Sequence, residues 1–210
     1  MKFRIGFAVI TAAVAAAVVG PVSPGRAATI IDEWASVKRP PAPALKPVTV
    51  DAKTTALLML DFMNQNCGKR PRCVASIPAM KKLLADARAA KVMVVYSLIA
   101  NTTTADVIKD VAPSEGEPWV RSGPNKFLRT DLEKILKDKG ITTVIVVGTA
   151  ANGAALNTAS YAALLGMNVI APVDGISSEP FAEQYTVWHL ANGPGVSGKT
   201  TLTKSDMIKF

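Results

Sequence analysis

Short runs of branched apolar residues alternate with longer segments whose apolar positions recur every three or four residues. "TALLML" (55–60), "VMVVYSL" (92–98), "TTVIVVG" (142–148) and "NVIAPVDG" (168–175) are apolar at nearly every position, the pattern of strands covered on both faces. Between them, "ASIPAMKKLLADARAAK" (75–91), "TDLEKILKDKG" (130–140), "NGAALNTASYAALLG" (152–166) and "SEPFAEQYTVWHLAN" (178–192) carry helical spacing. The 130–140 segment opens on a Thr130…Glu133 capping-box pattern and closes on Gly140, and "TTLTKSDMI" (200–208) reads as extended. Strands that alternate with helices predict an α/β fold: a three-layer sandwich around a mainly parallel central sheet. In such sheets ligands bind beyond the carboxyl ends of the strands, which singles out Asp61, Ser97–Asn101 and Gly148–Asn152. No internal repeat is visible.

The ends of the chain depart from this alternation. "MKFR" followed by "IGFAVITAAVAAAVVG" and the small residues Gly25 and Ala27 has the layout of a secretory signal peptide over residues 1–27, cleaved before Ala28. An uncleaved anchor is the competing reading, although the apolar run is short for a span of about 20 residues. Residues 28–50 are proline-rich and aperiodic, an extended leader, which leaves 51–210 as one domain with room for a core. The expected location is therefore secreted or periplasmic.

Charge changes the picture little. Losing Lys2, Arg4 and Arg26 with the signal lowers the formal charge of +8 by three. The remaining basic residues are scattered apart from "CGKRPRC", with no basic aromatic face of the kind that binds nucleic acid. Cys67 and Cys73 bracket Gly68 and Pro71, and an oxidising compartment favours a disulfide between them. Two free thiols, or a reactive Cys67, are the alternatives.

"GPGVSGKTT" (193–201) fits the phosphate-binding pattern G-x-x-x-x-G-K-[ST] in full. Such a loop joins an opening strand to a following helix. Here it follows the last helix and precedes an extended stretch, so it reads as a glycine-rich connection and no nucleotide is expected at 193–200.

Two positions carry candidate chemistry. Asp61 ends a buried strand, where a carboxylate is costly unless it is functional, paired with a cation or capping a loop. "GTAANGAALNTA" (148–159) passes from strand to helix through small residues, so backbone N–H groups of Ala151, Asn152 and Ala154 can approach an anion. Close packing explains the alanines equally well. His189, the only histidine, sits beside Trp188 on a helix and reads as packed or capping. Trp119, Tyr185 and Trp188 read as core, with a pocket wall as the alternative. No cluster has metal-ligand spacing, and no metal or cofactor is expected.

With "ALLMLDFMNQN", "FLRTDLEKILKDKGITTVIVVGTAANGAALNTASYAALLGMNV" and "VDG" in this order, residues 50–205 resemble the isochorismatase-like, or cysteine hydrolase, superfamily. The resemblance implies a Rossmann-like α/β hydrolase, homo-oligomeric, that acts on small amides or on an enol-ether bond. It also implies a triad of Asp, Lys and Cys. Asp61 matches the Asp, the Lys position falls on Arg121 with Lys126 close by, and the Cys position falls on Ala154. Arginine stays protonated and alanine has no nucleophilic atom, so thioester chemistry is excluded at that position. The family's isochorismatases also lack the cysteine and work by proton donation from the Asp. The histidines of its metal-using branch have no counterpart after the first strand. These residues point to a small-molecule hydrolase in which Asp61 acts as general acid or base, with Arg121 or Lys126 as the cation. The competing class is an inactive family member that binds a ligand or partner.

Overall fold

The computed structural model describes residues 27–210; the signal-peptide expectation lies outside the described residues. Two compact units divide the chain between Pro41 and Ala42. In the described part of the first, Asp32 Oδ2 accepts from Thr29 N (2.8 Å) and Thr29 Oγ1 (2.7 Å), which caps a short run of turns with Ile30, Ile31 and Trp34 exposed.

The second unit, 42–210, contains every regular element in the described residues. In chain order these are β1 (Val48–Thr49), β2 (Thr55–Leu60), α1 (Pro71–Ala89), β3 (Met93–Leu98), β4 (Trp119–Arg121), α2 (Leu132–Asp138) and β5 (Thr143–Thr149). Then come α3 (Leu156–Leu164), β6 (Asn168–Pro172), β7 (Ile176–Ser177), α4 (Pro180–Asn192), β8 (Thr200–Thr203) and β9 (Ile208–Lys209). The main sheet runs β4-β3-β2-β5-β6-β8, with β7 also paired to β5, and all its ladders are parallel.

Side-chain alternation along the central strands builds the two cores. Ala56, Leu58 and Leu60 of β2 face one side with Leu132, Ala159 and Leu190 of α2, α3 and α4. Leu57 and Met59 face the other side, with Met80, Leu83 and Leu84 of α1. The result is the expected three-layer α/β sandwich.

Several local expectations change. α1 begins at Pro71, the favoured first helical position, rather than at Ala75, so Cys73 is helical and not part of a loop. The Thr130…Glu133 capping box does not form; Thr130 Oγ1 accepts from Leu132 N (3.3 Å) and donates to Lys126 O. The extended stretch at 200–208 is broken by a turn at Ser205–Met207 before β9. Residues 46–50, read as leader, hydrogen-bond to the C-terminal stretch: β1 pairs with β9, and Lys46 N donates to Leu202 O (2.9 Å). The segment 193–199 links α4 to the edge strand β8, with Gly193 N on His189 O.

Candidate active site

The carboxyl ends of β2, β3 and β5 converge, and the convergence is tight because of one glycine. Gly148 lies opposite Leu60 at φ +146°, and a Cβ there would fall 2.2 Å from Leu60 O. Only glycine lets the strands approach this closely just before Asp61.

Asp61 itself takes φ +56°, a left-handed conformation that Asp tolerates better than most residues. The turn aims its carboxylate across the strand ends instead of back into the sheet. There Oδ1 accepts a 2.6 Å hydrogen bond from Ser97 Oγ of β3, and Oδ2 accepts one of 2.8 Å from Lys126 Nζ. Lys126 Nζ also donates to Ser122 O at 3.3 Å. The two charged side chains are only 6% and 1% exposed, so the ion pair is inside the protein.

How does a lysine come to lie there? β4 buries Val120 and turns Trp119 and Arg121 outward. The chain then folds on itself: Ser122 Oγ lies 2.9 Å from both Asn125 O and Leu128 O, and Phe127 N donates to Asn125 Oδ1. Phe127 is buried with its ring against Tyr161. Lys126 N is held by Thr158 Oγ1 of α3 (3.2 Å), so the lysine side chain enters beneath the loop.

Two adjoining lobes, of about 560 and 370 Å³, share the Arg121–Pro124 segment, and the larger opens above the pair. Asp61, Lys126 and Ala154 line the larger lobe. On one side Asn66 Nδ2 lies 3.4 Å from both Asp61 O and Thr149 O, tying the β2 and β5 ends together. On the other, the chain passes a cis peptide at Thr149–Ala150 and enters a single π-turn, Ala151–Ala155, ahead of α3.

Arg121 does not reach Asp61. Its guanidinium stacks 5.1 Å over the Trp119 ring and donates to Thr102 O, at the mouth of the cavity. Among the anion-site residues, Ala154 lines the larger lobe while Ala151 is fully buried and Asn152 is exposed; Ala150 and Gly153 take their places in the wall. The first N–H groups of the turn, at Ala151 and Asn152, have no intrahelical partner, as at any helix start. Cys67 and Cys73 form a disulfide (Cα–Cα 5.3 Å), are both fully buried, and are the only cysteines of the chain. The chain therefore has no free thiol, and a reactive Cys67 is excluded.

His189 is partly buried near the end of α4, its ring tilted against Tyr185, and does not line the cavity. Trp119, Tyr185 and Trp188 are each at least 41% exposed, so they are neither core nor wall of the larger lobe. No group of three or more potential metal ligands occurs among the described residues. Asn66 and Arg70 are site residues that sequence reasoning missed, and Ser97 was singled out only as part of a strand-end segment, without a role.

What can this arrangement do? Ser97 is 1% exposed and does not line the larger lobe, and the hydroxyls of Ser122 and Thr149 are committed to loop carbonyls and to Ser177 O. No nucleophilic side chain is free at the base of the cavity, whereas a carboxylate and an ammonium are in hydrogen-bond contact there. A carboxylate bonded to an ammonium beside a cavity is an arrangement that can exchange a proton with a bound molecule.

The isochorismatase domain model matches residues 55–200. A cysteine hydrolase from Pseudomonas syringae pv. phaseolicola 1448A is 21% identical, with 78% of this chain and 94% of that chain covered and a TM-score of 0.66. An isochorismatase-like hydrolase from Alkaliphilus metalliredigens is 25% identical over 73% and 87%, TM-score 0.66. N-carbamoylsarcosine amidase from Thermoplasma acidophilum is 22% identical over 73% and 97%, TM-score 0.62. No protein of curated function matches the sequence.

Proposed function

The chain belongs to the isochorismatase family of hydrolases, and from that premise we propose that it cleaves a small organic molecule by non-covalent general acid/base catalysis at Asp61. The observation that carries the reading is the buried Lys126–Asp61 pair at 2.8 Å, facing a cavity without a free nucleophile. Asp61 exchanges a proton with the substrate or the attacking water. Lys126 balances the charge on the carboxylate as that proton moves, and Ser97 fixes the carboxylate plane. Water supplies the atom that a cysteine would otherwise supply. The wall from Ala150 to Ala154 is the side on which developing negative charge would be held by backbone N–H groups.

An activity screen over amides, esters and enol ethers, with Asp61→Asn as control, tests this. The expected result is turnover of at least one class by wild type and a loss of at least 100-fold in Asp61→Asn, the scale of general acid/base catalysis. Equal inertness of two folded proteins across the panel would favour the second reading, a family member that binds without turnover. One observation supports that reading: both Asp61 oxygens already accept hydrogen bonds within the protein.

Export and homo-oligomerisation are parts of the same proposal. They are supported by the n-region and apolar run of residues 1–27, by the disulfide, and by the exposed aromatic stripe Phe181, Tyr185 and Trp188 on α4. A mature protein that begins at Ala28 and elutes as a multimer is the expected outcome. An intact N-terminus on a monomer would overturn both.

A further inference from the structure

Four charged side chains line the larger lobe: Asp61, Lys126, Arg70 and Arg121. The first two neutralise each other. Arg70 and Arg121 form no ion pair with any carboxylate among the described residues, and no second acid lines either lobe. The chamber above the proton-transfer pair therefore carries two uncompensated positive charges. Arg129, also outside every ion pair, lines the smaller lobe and extends the same sign of charge.

Both guanidiniums at the larger lobe are held in place. Arg121 rests on Trp119 and gives one N–H to Thr102 O, which leaves most of its five donors free. Arg70 immediately precedes α1, inside the disulfide-closed turn, and its Nη1 touches Asn66 O at 3.4 Å, the residue whose side chain spans Asp61 and Thr149. An ordered guanidinium fork suits a planar or tetrahedral oxyanion. Two of them at one cavity leave it with an excess of positive charge that an entering anion would balance.

We propose that Arg70 and Arg121 are specificity-determining residues that bind an oxyanion group of the substrate, a carboxylate or a phosphate, and present the rest of the molecule to Asp61. The inference rests on the larger lobe being the substrate site, and it concerns binding rather than turnover. Neutral amides and esters of the same shape are then poor ligands.

The test uses the oxidised mature protein and four probes: phthalate, its neutral isostere phthalamide, phenyl phosphate and inorganic phosphate. Binding is read by calorimetry at low and high salt. Phthalate or phenyl phosphate should bind at least tenfold more tightly than phthalamide and weaken as salt rises. Tighter phthalate assigns the group as carboxylate; tighter phenyl phosphate, or inorganic phosphate alone, assigns it as phosphate. Arg70→Gln and Arg121→Gln should each weaken the preferred anion roughly 10- to 100-fold, the scale of a hydrogen bond to a charged group. Arg121→Lys should lose less than Arg121→Gln and keep the salt dependence of anion binding, which a purely structural role of the Thr102 contact would not produce. Unfolding midpoints of the variants check that each is folded. Equal affinity for phthalate and phthalamide, no binding of any anion, or affinity unchanged in both Gln variants would overturn the proposal. Turnover by the wild type, measured beside binding, separates the two readings. Anion binding that survives with no turnover in wild type removes the hydrolase reading alone, and turnover of neutral substrates with no anion preference removes this one alone.

Discussion

Asp61 and Lys126 bury opposite charges 2.8 Å apart, and neither takes part in a second ion pair among the described residues. Removing one partner leaves a bare charge in a site of low polarity. Lys126→Met should therefore destabilise the protein by about 3–5 kcal/mol. In the double variant Asp61→Asn/Lys126→Met no charge is stranded, and its cost should fall below the sum of the single costs by roughly 1–3 kcal/mol. Urea denaturation of the four proteins checks this, and additive costs would show that the pair is not coupled. Ser97 contributes at the same scale, since its hydroxyl is the second of the two groups that hold the carboxylate. Asp61 was legible in the sequence because a strand of apolar residues ends on it. Its partner was not. The resemblance put the cation's position on Arg121, with Lys126 close by; the choice was made by Val120, Phe127 and the hydrogen bonds of Ser122, which send residue 121 outward and residue 126 inward.

The turn from Cys67 into α1 links stability to the site. Its disulfide joins residues six apart, so closing the loop should contribute about 2 kcal/mol through the unfolded chain. Cys67→Ala/Cys73→Ala, or reduction of the wild type, is expected to lower the unfolding free energy by that amount. Because Arg70 and Asn66 lie on this turn, anion affinity should drop in the same sample. Denaturation with and without reductant reads the first effect. An unchanged midpoint after complete reduction would show that the crosslink adds nothing. Sequence patterns found all four helices and the four longest strands. They missed β1, β4 and β7, which are two or three residues long. Strands so short have too few positions for an alternation to be recognised, and their existence depends on a neighbour's free edge.

Across the whole molecule, the parallel sheet separates two apolar layers, and the layer under α1 contains the phenol of Tyr96. That side chain is 1% exposed, with its Oη donating to Val111 O at 2.9 Å and Arg88 Nη2 nearby at 3.2 Å. Burial pushes the Tyr96 pKa well up, against the opposing pull of the Arg88 guanidinium. The folded protein thus keeps this proton at a pH where the unfolded chain, with a phenol pKa of about 10, has released it. Stability from this source is complete below about pH 10 and is lost as pH rises through the higher folded value. Tyr96→Phe should flatten the alkaline fall in unfolding free energy while lowering its neutral value by about 1 kcal/mol for the lost hydrogen bond. Parallel pH profiles of the two proteins measure this; identical alkaline slopes would assign the fall to other groups.

Local pattern alone determined the α/β class, the strand-and-helix order and Asp61 at a strand end; the family resemblance added that the cysteine position falls on Ala154. The patterned features depend on residue type and spacing, which act over a few positions. Local pattern also exposed the phosphate-loop match at 193–200 as a connection, since the order of elements around it was wrong. Only the tertiary structure decided which cation meets Asp61, that Asn66 ties two strand ends together, and that Arg70 and Arg121 share one cavity. These contacts join segments up to 83 positions apart. Their meeting depends on sheet order, on the Gly148 approach and on how one loop folds over α3, and none of these is encoded in nearest-neighbour spacing.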